Sequence, residues 1–236
     1  MIFFTDITTN ISNYCMLNVK KYNDKRKLNK KIVFIDPSVY ELKNSAEYSM
    51  LPLLHILANS KLPKNEFISI DYPCDMNQYY EGTFIEKSYY NNVNYATNNQ
   101  YICTIQCKFG NFNSFVYQSE RLRDIWEIEK KIIGIGSLCC ILHTNLFTDK
   151  VYQYIADNFQ NKKVHIYGMP LRHIRKYIRL LDRNDIQLSA DSTKWTKRIH
   201  KNPPLDLQIC CRKNTRDIYF LEYMKEIAKE TPVILY

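Results

Sequence analysis

The stretch IQLSADSTKW, residues 186–195, decides how the rest of the chain is read. Its first half, Ile186 to Ala190, has the composition of a buried β-strand. The strand then ends on a carboxylate, Asp191, followed by two hydroxyls, Lys194 and Trp195. Two readings compete for an acid delivered to a strand's carboxyl end. Asp191 caps the next helix, or it is a reacting group with a cationic, aromatic surface beside it.

Similar short, β-branched runs recur outward from this one. They are KIVFID (31–36), FISID (67–71), YICTIQC (101–107), IIGIGSLC (132–139) and KVHIYG (163–168). Weaker candidates are IFFTD at the start, LDLQICC (205–211) and VILY at the end. The clear runs are nearly continuous in hydrophobicity, as expected of parallel strands covered on both faces. Amphipathic segments separate them. In LRHIRKYIRLLDR (171–183), Leu171, Ile174, Ile178 and Leu181 form one stripe, and Arg172, Arg175, Lys176 and Arg179 another. The alternation predicts an α/β fold, and roughly eight strand candidates predict a (β/α)8 TIM-like barrel built as one domain over 1–236. Residues 75–100 break the rhythm. They are polar, rich in Tyr and Asn, and read as an insertion at a strand's carboxyl end, where loops build active sites in such barrels.

Bulk properties narrow the function. A formal net charge of +9 favours a polyanionic partner, because neutralising phosphates releases condensed counterions. The same lysines could also serve only to solubilise the surface. Eight cysteines occur without a C-x-x-C pair; Cys139-Cys140 and Cys210-Cys211 are adjacent, and neighbours on a strand point to opposite faces. No zinc or other metal site is expected, although His200, Cys210 and Cys211 could be brought together as ligands. With no signal-like leader and no run of membrane-spanning length, a cytoplasmic protein with reduced thiols is expected. Five glycines are too few for the phosphate loop of a sugar-phosphate barrel enzyme, and no three-cysteine cluster suggests radical chemistry.

The strand ends present a recurring chemistry. In order they offer Asp36, then Asp71 with Cys74, then Gln106, then Gly134 and Gly136, then Gly168, and finally Asp191. In a barrel these positions converge on one mouth. Carboxylates and an amide suit the hydrogen-bonding edge of a polar heterocycle, and glycines let its flat face approach backbone. Each residue also has a local explanation. Asp36-Pro37 is a good helix start, Gln106 could be a satisfied core amide, and Gly134 and Gly136 could mark close packing. His165, within a strand, reads as a core residue rather than a ligand.

This ordered set resembles the tRNA-guanine transglycosylase superfamily, and most closely its viral and phage members that insert 7-deazaguanines into DNA. Asp36 stands for the acid of the family's D-S-G-G-F-Q motif. Ile70-Asp71-Tyr72-Pro73-Cys74 is similar to F-D-E-C, Cys103-Thr104-Ile105-Gln106-Cys107 to G-I-V-Q-G, and Ile135-Gly136-Ser137-Leu138 to I-G-G-L. Ile166-Tyr167-Gly168-Met169 is similar to L-M-G-V-G, and Asp191-Ser192-Thr193-Lys194-Trp195 to the D-S-T-x-W form of the nucleophile segment. The family's C-x-C-x-x-C…His zinc motif is absent, so the resemblance implies a compact barrel without the zinc subdomain.

The resemblance implies a mechanism. Asp191 attacks the anomeric carbon of a guanosine nucleotide, Asp36 serves as general acid and base, and a free 7-deazaguanine, the only co-substrate, replaces guanine. Asp71 and Gln106 read the base edge, with Gly136, Gly168 and Cys74 lining its pocket. Extruding a base from a duplex needs supporting phosphate contacts. Lys194, Trp195, Lys197, Arg198 and Lys201 are placed to supply them, and Arg172, Arg175, Lys176 and Arg179 are candidates whose plainer reading is a solvated helix face. Alternatives are the same exchange on tRNA and a non-catalytic nucleic-acid-binding partner subunit; neither the inserted base nor the oligomeric state follows from the sequence.

Overall fold

Among the described residues all strand pairings are parallel, and they fall into two sheets. The computed structural model describes residues 1–5, 12–36, 51–72, 81–139, 144–191 and 215–232. The strands are β1 (Ile2–Phe4), β2 (Tyr14–Asn18), β3 (Ile32–Asp36), β4 (Glu66–Ile68), β5 (Cys103–Ile105), β6 (Ile132–Ile135), β7 (Lys163–Ile166) and β8 (Gln187–Asp191). One sheet has the order β1-β8-β7-β6-β5, the other β2-β3-β4. The helices are α1 (Leu51–Asn59), α2 (Glu81–Asn94), α3 (Phe112–Arg121), α4 (Arg123–Trp126), α5 (Asn145–Asn158), α6 (Leu171–Arg183) and α7 (Thr215–Ala228).

The sheets are bonded to each other at both edges. At one, Thr5 N–H donates to Tyr14 O at 3.1 Å and Met16 N–H to Thr5 O at 2.7 Å. At the other, Ile68 N–H donates to Gln100 O at 2.9 Å and Ile102 N–H to Ile68 O at 2.8 Å.

Strand side chains alternate in direction, and the burial clusters separate along that alternation. Val33 and Ile35 of β3 join Leu54 and Leu57 of α1 on the helix-covered face. Ile133, Ile135, Val164 and Ile166 do the same against α5 and α6. The opposite faces of the two sheets share a third cluster built from Phe4, Tyr14, Phe34 and Ile102. Its centre is the stack of Phe4 on Phe34, with ring centroids 4.1 Å apart. Full burial of each such ring contributes on the order of 1.5–3 kcal/mol. At the amino ends of the strands this shared face encloses an apolar cavity of about 380 Å3, lined by Ile2, Ile32, Phe67 and Ile132 among others. The sequence-derived acids lie at the other end.

Two expectations are corrected. The sequence reading has no strand at 14–18, yet β2 pairs along its whole length with β3; its Tyr-Cys-Met-Leu-Asn run lacks β-branched residues and adjoins a lysine-rich segment. The second is the Tyr/Asn-rich stretch at 75–100, read as a break in the strand–helix rhythm: α2 occupies 81–94, between β4 and β5. Its buried face carries polar groups that bond to backbone. Asn92 Nδ2 donates to Thr104 O at 2.8 Å and its Oδ1 accepts from Thr104 N–H at 3.0 Å. Asn91 Nδ2 donates to Ile70 O at 3.0 Å, and Ser88 Oγ accepts from Tyr72 N–H at 2.8 Å. Such a helix has no hydrophobic stripe to betray it.

Among the described residues no helix is long and apolar enough to cross a membrane.

Candidate active site

Parallel pairing sends every strand's carboxyl end the same way, so Asp36, Asp71, Gln106, Gly136, Gly168 and Asp191 gather at one end of the sheets. Alternation then fixes the face. Asp36 stands two residues beyond Phe34 and Asp191 two beyond Ser189, so each acid follows the face of the residue beneath it. Phe34 lies edge-on to His165, with centroids 4.9 Å apart. Ser189 Oγ is 3.0 Å from His165 Nδ1. His165 therefore ties the ground beneath the two acids together, and both stand on one shared face above an aromatic floor.

Asp191 is held by backbone and ring. Its Oδ1 accepts from Gly168 N–H at 2.9 Å and lies 3.3 Å from His165 Nε2. Gly168 has φ +63°, a left-handed conformation that suits glycine and here aims the amide at the carboxylate. The Asp191 side chain remains 18% exposed, whereas His165 is wholly buried. Asp191 is thus anchored yet reachable.

Asp71 is a different kind of acid. It is 4% exposed, and Gln106 Nε2 donates to its Oδ2 at 2.6 Å. Its Oδ1 is buried without a hydrogen-bond partner among the described residues. Burial pushes the carboxyl up to about 6, against the opposing effect of the Gln106 hydrogen bond. The Gln106 amide is fixed at its other end as well, since Ser137 O–H donates to Oε1 at 3.0 Å. Ser137 Oγ in turn accepts from Cys107 N–H at 2.8 Å. The amide lies directly over Gly136: a Cβ there would stand 2.2 Å from Nε2 and 2.7 Å from Oε1 of Gln106. The room at this glycine is taken by a side chain that orients Asp71.

Tyr167 completes the face. Burial, with the charges of Asp71 and Asp36, holds its phenol well above the ordinary range. Its ring also meets Gly134, where a Cβ would come within 2.7 Å of Cε2.

The basic stripe on α6 has a different setting. Arg175 Nη2 is 2.6 Å from Glu226 Oε2, Lys176 Nζ 2.6 Å from Asp149 Oδ1, and Arg179 Nη2 3.7 Å from Glu230 Oε2. These charges link α6 to α5 and to the α7 end of the chain, on the helix side of the sheet. Arg172, in the first turn, is exposed and makes no ion pair among the described residues. Cys74, Lys194, Trp195, Lys197, Arg198 and Lys201 lie outside the described residues, as do His200, Cys210 and Cys211. Among the described residues no group of three His, Cys, Asp or Glu could hold a metal ion.

Ser137, Tyr167 and Ser189 are site residues that sequence reasoning did not single out, and His165 it assigned only to the core. Period-two alternation was the available signal: Lys163, His165 and Tyr167 share one face of β7, Val164 and Ile166 the other. No protein-family model matches the chain, and no curated protein or solved structure matches it, so the functional reading rests on the geometry of the site.

Proposed function

We propose that this chain exchanges guanine in DNA for a 7-deazaguanine through a covalent sugar–enzyme intermediate. The observation that carries the reading is Asp191, an anchored and accessible carboxylate sharing one face with Asp36 and with the buried Asp71–Gln106 pair. Asp191 forms a bond to C1′ of the nucleotide as the C1′–N9 bond breaks. The departing electron pair goes to the base, which takes its proton from the carboxyl of Asp36. In the second half, Asp36 removes the N9 proton of the incoming base, which bonds to C1′ and releases the Asp191 carboxylate. A carboxylate nucleophile suits the oxocarbenium-like transition state of such a displacement.

Asp71 supplies selectivity in this scheme. Guanine's Watson–Crick edge carries N1–H and N2–H donors, and Oδ1 of Asp71, buried with no described partner, is the acceptor that would receive one. Adenine offers an acceptor at N1 and would leave that oxygen unpaired, a loss of about 1–3 kcal/mol. A closed (β/α)8 barrel is part of the same proposal. The strand order runs from β1 to β8 and returns to β1, the sheets are bonded at both edges, and the aromatic cluster is shared between their inner faces.

The test is incorporation of labelled guanine into duplex DNA, with tRNA as a parallel substrate. Wild-type protein should label DNA and yield a denaturation-resistant protein–DNA adduct. Asp191→Asn should bind DNA as before, because its amide oxygen can still accept from Gly168, and should neither label DNA nor form the adduct. Label in tRNA alone would move the substrate assignment; folded wild-type protein that labels neither nucleic acid would refute the reading.

A further inference from the structure

We infer that His165 is a positioning residue for Asp191, holding Oδ1 so that Oδ2 is the oxygen that attacks. The inference rests on the assignment of Asp191 as nucleophile and goes beyond it by naming what aims that group. Among the described residues, both groups that approach the carboxylate, Gly168 N–H and His165 Nε2, fall on Oδ1.

The proton arrangement follows from Ser189. Its single hydroxyl proton has two acceptors in reach, His165 Nδ1 at 3.0 Å and Val164 O at 3.3 Å. Donation to Nδ1 makes that nitrogen an acceptor, so the neutral ring carries its proton on Nε2, facing the Asp191 carboxylate. Donation to Val164 O instead makes Nδ1 a donor, and a neutral ring would then turn a bare lone pair toward an ionised carboxylate. The first arrangement accommodates an ionised Asp191 with the ring uncharged. Ser189 thus selects the tautomer, the ring transmits it, and the N–H faces Asp191 at 3.3 Å.

The resting contact is incomplete. Nε2 is wholly buried and 3.3 Å from Oδ1, yet it lies off the hydrogen-bond direction of every described neighbour. Catalytic hydrogen bonds are often poorly aligned before substrate binds and tighten in the reacting complex. A small rotation of the carboxylate as Oδ2 bonds to C1′ brings Oδ1 onto the N–H. The same N–H then stabilises Oδ1 when the carboxylate regains its charge in the second half-reaction. Phe4 and Phe34, edge-on to the ring at 5.4 and 4.9 Å, keep it from turning away.

The experiment measures single-turnover formation of the covalent adduct on duplex DNA, with labelled guanine exchange as the steady-state readout. His165→Phe should slow adduct formation by about 10- to 100-fold with little change in KM for DNA, the scale expected when a reacting group is misaligned. His165→Gln, whose Nε2 reaches a similar place, should recover most of the rate. Ser189→Ala should slow the same step by roughly 3- to 10-fold through loss of the selected tautomer, a fraction of that misalignment cost, and it decides the matter should the phenylalanine variant not fold. Wild-type rates in folded His165→Phe, or in Ser189→Ala, overturn the inference, as does a glutamine variant no faster than phenylalanine. A wild-type protein that forms no adduct at all refutes the nucleophile assignment itself, a separate outcome.

Discussion

Gln106 donates an amide proton to Asp71 Oδ2 across 2.6 Å, while Asp71 Oδ1 is buried with no described partner. Burial of this carboxylate, more than its hydrogen bonding, gives it a thermodynamic signature. Its folded pKa, pushed up to about 6, exceeds its unfolded value of 3.8. Between those values the folded state binds more protons than the unfolded state, so stability falls as pH rises from about 4 to about 6 and is level above. About two units correspond to about 3 kcal/mol at neutral pH, an upper figure for so enclosed a group. Asp71→Asn should therefore raise the denaturation midpoint by several degrees at pH 7–8, and the gain should vanish below about pH 4. The same variant should lose guanine exchange. Thermal denaturation of both proteins across pH 3–8 checks the slope; an unchanged midpoint at every pH would show that Asp71 carries no burial cost.

Gly136 offers a test of the scaffold around that pair. A methyl group there meets the Gln106 amide at 2.2–2.7 Å, closer than any ordinary contact. Gly136→Ala should push the amide off Asp71 and Ser137, cost about 1–3 kcal/mol of stability, and depress exchange. The companion Gln106→Ala removes the obstacle. Adding Gly136→Ala to a Gln106→Ala background should cost far less than in wild type, and a double-mutant cycle measures the coupling. Strict additivity would mean that the glycine serves something other than this amide.

Charge neutralisation separates two basic segments. Arg175, Lys176 and Arg179 are paired with acids of neighbouring helices, and exposed pairs of that kind contribute about 0–1 kcal/mol each. Replacing all three with glutamine should leave the salt dependence of DNA binding almost unchanged. Replacing Lys194, Lys197, Arg198 and Lys201 should flatten the log–log slope by about 3–4, close to one for each phosphate no longer neutralised. Filter binding across a salt series reads both. A larger flattening from the first set than from the second would reverse their roles.

Much of this architecture was legible because parallel strands announce themselves as short apolar runs. Five of the eight lie within the clear segments of the sequence, β4 overlaps another, and β1 lies within a weaker one. The acids were legible because each closes such a run, where an apolar pattern stops on a charge. What escaped was information carried by the other face. His165, Tyr167 and Ser189 alternate with Val164, Ile166, Leu188 and Ala190, so a reading based on average hydrophobicity merges the two sets. Asn91 and Asn92 escaped for a related reason: their amides satisfy strand backbone, a task that propensity counts as a helix penalty. The α6 stripe was readable as a face but not as a paired one, since its acids, Asp149, Glu226 and Glu230, are distant in sequence.

Asp36 stands on the three-stranded sheet and Asp191 on the five-stranded one. Their separation is therefore an inter-sheet dimension, governed where β1 meets β2 by the amides of Thr5 and Met16 and by the Thr5 hydroxyl, which donates to Tyr14 O at 3.4 Å. Breathing at that seam would spread the proposed proton donor from the proposed nucleophile without melting a helix or either ladder. The gap between the two acids is in this sense hinged on the Thr5 and Met16 peptide protons, whose deuterium uptake in solution would report how often the seam parts.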